Sequence, residues 1–119
     1  MANPVVFFEV LGSDGESLRS FYHDLFDWKI DRMPPPMDYG MVAPGGEGGI
    51  EGGIGAAPEG GSGHSTFYVQ TDDPQAALDR SEELGGRTVH APTRLPSGGV
   101  IALLADPEGH TIGLFKPAN

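Results

Sequence analysis

The sequence contains no cysteine. Disulfides, thiolate nucleophiles and cysteine-ligated zinc are therefore excluded, and the composition suits a reducing cytoplasm. Basic residues are scarce: seven Lys and Arg stand against seventeen Asp and Glu, a net charge of −10. That balance repels phosphate backbones, which argues against nucleic-acid binding, and it serves solubility. Long apolar runs are missing too. No stretch approaches the roughly 18–20 residues of a membrane-crossing helix. MANPVVFFEV has no basic segment leading into a long apolar one. Neither a membrane span nor a signal peptide is expected. There is also no Gly-Lys-Ser/Thr phosphate loop and no dinucleotide fingerprint.

What the chain has in excess is turn chemistry, with nineteen Gly and eleven Pro in 119 residues. The length predicts one domain, residues 1–119. PVVFFEV, residues 4–10, is a β-branched and aromatic run and predicts a strand. Ser13-Asp14-Gly15-Glu16 matches a capping box with Ser13 as the cap. Leu18, Phe21, Tyr22, Leu25 and Phe26 follow at helical spacing as one apolar face. Trp28-Lys29-Ile30 starts a second strand, Pro34-Pro35-Pro36 predicts an extended loop, and Tyr39 to Val42 a third strand.

HSTFYVQTDD, from residue 64, begins the same sequence of elements again. Asp73 can cap a helix that has Pro74 at its first position. Ala77, Leu78, Ser81 and Leu84 form its inward face, and Gly85-Gly86 ends it. Arg87 to His90, Val100 to Ala105 and His110 to Phe115 predict three more strands, the last following the turn Asp106-Pro107-Glu108-Gly109. At an offset of 59, Phe8 falls on Phe67, Val10 on Val69, Asp14 on Asp73, Leu25 on Leu84 and Ile30 on Val89. The chain thus reads as a duplicated strand, helix and three strands: module one over about 4–55 and module two over about 64–117, joined by a Gly-rich linker over about 56–63. Residues 43–63 hold ten glycines. Within them Gly52-Gly53-Ile54 predicts a short, thin strand, where glycine marks a close approach by another backbone or a ligand.

Two βαβββ units, SLRSFYHDLFDWKI, GGIEGGIG, HSTFYVQTDD and above all the ending LLADPEGHTIGLFKP resemble the vicinal oxygen chelate superfamily, and its glyoxalase-like group in particular. That superfamily includes glyoxalases, extradiol dioxygenases and bleomycin-resistance proteins. The resemblance implies an α+β fold in which two βαβββ modules form curled mixed β-sheets around a cup. It also implies one divalent metal, held by a His or Glu from the first and last strand of each module. That arrangement suits substrates with adjacent oxygens. Carried onto this chain, the four positions fall on Val5, Gly53, His64 and Gly113, so only His64 can ligate. The resemblance then implies a protein that binds a small molecule in its cup, with no cofactor, as a cytoplasmic homodimer. The alternative is a lyase, isomerase or dioxygenase-type enzyme using one divalent metal ion at a shifted site.

Strand alternation places Val5, Phe7 and Glu9 on one face and His64, Thr66 and Tyr68 on its twin. Glu9 is the unusual member, because burying a carboxylate costs several kcal/mol unless it is paired or hydrogen-bonded. A bond to Tyr68, or a nearby Lys or Arg, would satisfy it. Glu9 and His64 are the candidate acid–base residues. Glu9, Glu51 and His64 are the residues a shifted metal would need. Phe7, Glu9, His64, Thr66, Tyr68 and Phe115 are the expected lining for a ligand. Tyr39 and Phe67 belong to the core or lining, and Trp28 to packing. His23, His90 and His110 are expected to face outward or to lie near turns.

Overall fold

The computed structural model describes residues 2–58, 61 and 63–119. They form two compact units, residues 7–65 and residues 66–119 with the N-terminal 1–6. The expected linker over 56–63 includes residues 59, 60 and 62, which lie outside the described residues.

The first unit is built from β1 (Val5–Gly12, entering this unit at Phe7), α1 (Gly15–Phe26), β2 (Ile30–Arg32), β3 (Tyr39–Val42) and β4 (Glu51–Ala56). Its strands run in the order β2-β3-β4-β1. β1 and β4 are parallel, with Glu9 opposite Gly53, and β3 lies antiparallel to β4. Gly52 to Gly55 are buried, so the stretch expected to be a thin strand is a six-residue strand at the heart of the sheet. Glycine here leaves room for rings: a Cβ at Gly52 would fall 2.2 Å from the Phe8 ring.

α1 starts one residue later than the capping box suggests. Asp14, not Ser13, is the cap; its carboxylate accepts from the Ser17 N–H at 3.0 Å. The expected apolar face is corrected as well. Phe21, Leu25 and Phe26 are each more than half exposed. The inward line runs through Gly15, Leu18, Arg19 and Tyr22, because buried Arg19 occupies the position that apolar counting passes over. Its guanidinium donates to the Ile54 carbonyl at 3.2 Å and pairs with Asp38 at 2.9 Å. Trp28 precedes the second strand rather than opening it. It packs on Tyr22, Phe26 and Phe8 with ring centroids 5.1–5.4 Å apart.

The second unit contains β5 (His64–Gln70, from Thr66 onward), α2 (Pro74–Glu83), β6 (Arg87–Arg94), β7 (Val100–Ala105) and β8 (Thr111–Lys116). Its strand order is β5-β8-β7-β6, with β5 parallel to β8 and the rest antiparallel. Asp73 caps α2 with Pro74 in its first turn, as read, and its carboxylate accepts from Ala76 N–H at 3.0 Å. Leu78, Ala102 and Leu114 form the core, with Val69, Ala77 and Leu104 against it. Leu84 was expected to face inward; it sits at the helix end, beyond the last inward turn, and is 62% exposed. β8 begins at Thr111 because the Asp106 turn holds His110 back, with His110 N–H and the Asp106 carboxylate 2.9 Å apart.

Candidate functional site

The first unit brings Glu9, Tyr39 and His64 together. The Tyr39 hydroxyl donates to Glu9 Oε2 at 2.8 Å, and His64 Nε2 lies 2.9 Å from Glu9 Oε1. The Glu9 and His64 side chains are 12% and 23% exposed, so the cluster is sheltered but reaches solvent. A carboxylate can only accept, so an ionised Glu9 draws a proton on Nε2 toward itself. A neutral imidazole then carries its lone pair on Nδ1. Each of these bonds to a charged oxygen is worth about 1.5–3 kcal/mol.

The local folding is legible strand by strand. Glu9 sits opposite Gly53 on the parallel neighbour, while Tyr39 opens β3 opposite Gly55. The missing side chain at Gly53 is what admits the tyrosine: a Cβ there would lie 1.8 Å from the Tyr39 hydroxyl. The close approach that the glycines predict is therefore made by a side chain of the same unit. Tyr39, expected in the core or the lining, is the third polar member of the cluster. Its signal was the adjacent Gly-rich strand, which requires a large neighbour to fill it.

In the second unit the corresponding position is filled by the ring of Tyr68. Tyr68 is opposite Gly113 and only 6% exposed, and a Cβ at Gly113 would fall 2.4 Å from its ring. Thr66 is buried and donates its hydroxyl to the Thr111 carbonyl. Phe115 is half-buried, opposite Ile101 on β7 and Gln70 on β5. Phe7 is half-buried on β1 opposite exposed Glu51. Val5 is exposed, as are His23, His90 and His110.

A resident divalent metal needs about three N or O ligands and an open position. Among the described residues no three His, Asp or Glu side chains gather in that way. Glu51 does not join Glu9 and His64 as a third ligand, and the donor set does not fit the metal that the fold family implies. Two surface concavities, of about 300 and 690 Å3, lie in the second unit; neither is lined by Phe7, Glu9, His64, Thr66, Tyr68 or Phe115. Away from the cluster, the backbone N–H of His110 holds the Asp106 carboxyl below its usual range, helped by the His110 ring and the Glu108 N–H.

Comparison with known proteins agrees with this architecture. "Putative glyoxylase CFP32" of Mycobacterium bovis is 34% identical over 55 residues, which cover 46% of this chain and 21% of that protein. The chain thus spans about a fifth of the length of the curated relatives it matches. A glyoxalase/bleomycin resistance protein/dioxygenase superfamily member from Vibrio splendidus superposes with a TM-score of 0.67 at 15% identity, over 97% of this chain and 99% of that one. Methylmalonyl-CoA epimerase of Streptomyces coelicolor, in complex with 2-nitronate-propionyl-CoA, gives 0.64 at 14% identity over 100% of both chains. The sequence pattern of the glyoxalase-like domain matches residues 7–115, nearly the whole of both βαβββ units, and the chain belongs to the glyoxalase-like family of the vicinal oxygen chelate superfamily.

Proposed function

We propose that this chain is a metal-independent member of its family that binds a small molecule against Phe7, Glu9, Tyr39 and His64. One observation carries the reading: the Tyr39 hydroxyl stands 1.8 Å from where a Gly53 side chain would begin, and it donates to Glu9. A side chain of the protein thus fills the place that the resemblance gives to a metal ligand. Val5 and Gly113 supply no donor either, and His64 is already bonded to Glu9. A cation entering here would have to strip two hydrogen bonds from the carboxylate before gaining anything. A ligand that meets His64 and the Phe7 ring disturbs neither bond. A planar or cationic molecule suits the aromatic surface and the negative charge of the chain. A two-fold dimer is part of the proposal, and light scattering tests it.

A second reading is favoured by the 2.9 Å contact between His64 and Glu9. A carboxylate that orients an imidazole leaves its second nitrogen to accept a proton from a substrate. The same cluster would then serve a lyase or isomerase acting on a small oxygenated substrate.

The test is metal content first. Untagged protein is incubated with Zn, Ni, Mn, Fe(II) and Co, then read by mass spectrometry and thermal shift. The proposal expects no stoichiometric ion and no stabilisation, followed by stabilisation from members of a small aromatic and cationic set that is lost in His64→Ala. About one ion per chain, lost in Glu9→Ala or His64→Ala, would overturn it. Turnover of a substrate that vanishes in His64→Ala while binding persists would move the protein to the second reading.

A further inference from the structure

The second unit holds an unassigned feature that uses none of the residues of the Glu9 cluster. A concavity of about 300 Å3 opens beside the turn between β6 and β7, with Arg94, Ser97, Gly98, Val100 and Lys116 in its lining and residues 117–119 closing its other side. We propose that it is a binding site for a small oxyanion, either free phosphate or the acid group of an organic molecule.

The register supplies the geometry. Arg94 is opposite Val100, and Val100 is opposite Lys116. Directly opposed residues share a sheet face. The two cations therefore flank Val100 across three strands, with backbones about 10 Å apart from two strand spacings. Side chains of that length can reach over the half-buried Val100 toward one anion. Alternation along β7 and β8 puts this row on the face of Ala102 and Leu114, under α2, and opposite to the face of Gly113.

The charge pattern supports the same reading. Residues 84–105 and 109–119 contain no Asp or Glu, although the chain has seventeen. Two of its seven basic residues line this one concavity. Two of the other five cations are paired, Arg19 with Asp38 and Arg80 with Glu83. Among the described residues neither Arg94 nor Lys116 has an ion-pair partner. Withdrawing acids from these segments of an acidic chain raises the local potential, and a concave wall focuses it. The rim is fixed rather than loose. Gly98 N–H donates to the Leu95 carbonyl at 2.9 Å and Leu95 N–H to the Gly99 carbonyl at 2.7 Å. Gly98 has φ +98°, and a Cβ there would lie 3.2 Å from that of Ala118. Ser97 adds a hydroxyl donor at the mouth.

The experiment is an amide NMR titration of the full chain with inorganic phosphate and, separately, with malonate, using chloride at matched ionic strength as control. Saturable shifts at Ser97, Gly98, Val100 and Lys116 are expected with at least one oxyanion. Phosphate alone would identify a phosphate site, malonate alone a carboxylate site, and both a general oxyanion site. Arg94→Gln combined with Lys116→Gln is expected to weaken the binding about tenfold or more, a factor readily separated from error. If that double variant loses its dispersed spectrum, Arg94→Gln alone carries the comparison. Shifts that chloride reproduces, shifts that never saturate, or saturation unchanged in the variants would overturn the proposal.

Discussion

In the first module the residue opposite the last-strand glycine is Glu9; in the second it is Tyr68. These two residues are 59 positions apart, the offset of the repeat itself. In the second module the tyrosine ring lies directly on Gly113 and is buried there. In the first, the carboxylate cannot fill the space over Gly53, and Tyr39 comes from the neighbouring strand to do so with its hydroxyl. Twin backbones thus hold one closed place and one polar, partly exposed place. The ring of Tyr68 fills its place by shape, whereas the Glu9 carboxylate is held by Tyr39 and His64 close to the surface.

Substitutions can break this comparison. Gly113→Ala pushes a methyl into a buried ring that has little room to retreat, and about 3 kcal/mol of stability should be lost. Gly53→Ala meets the hydroxyl end of a half-buried ring, so about 2 kcal/mol is expected, together with loss of the Tyr39–Glu9 bond. Urea midpoints measure both; a larger cost at Gly53 would mean that the first module is the tighter one. Tyr39→Phe removes one donor from Glu9 and should cost about 1–2 kcal/mol. Asp14→Ala and Asp73→Ala should each cost about 1 kcal/mol, because the two caps make the same 3.0 Å bond; clearly unequal losses would show that the helices are not equivalent. The smallest effect belongs to the turn before β8. The Asp106 carboxyl is held below its ordinary value, so it contributes stability above the usual carboxylate range and loses it as the pH falls through that range. Asp106→Asn should flatten that acidic slope in a thermal-melt series.

Most of the architecture is legible because it is written twice. The repeat aligned Asp14 with Asp73 and so pointed to the true cap, while the local capping-box pattern pointed to Ser13. Tyr39–Val42 and Val100–Ala105 were readable from composition and flanking turns alone. Helix facing was less readable. Apolar identity suggested Phe21, Leu25, Phe26 and Leu84 as inward, but the inward line of α1 passes through a cation whose carbonyl and carboxylate partners come from distant positions. The candidate site was half legible. Glu9 and His64 stood out as polar residues on apolar strands, whereas Tyr39 is joined to them only by the pairing of β3 with β4 and by an absent side chain at Gly53. No local pattern records a contact whose cause is an empty position on another strand.

That contact also makes positions 39 and 53 interdependent. Placing a carboxylate at position 53 while Tyr39 remains forces two groups into one volume, and trimming Tyr39 first leaves a hole beside a carboxylate short of a donor. Each single step is costly and only the pair is acceptable. A strand with a carboxylate at position 53 is therefore separated from the present sequence by two linked changes, a barrier set by the packing alone.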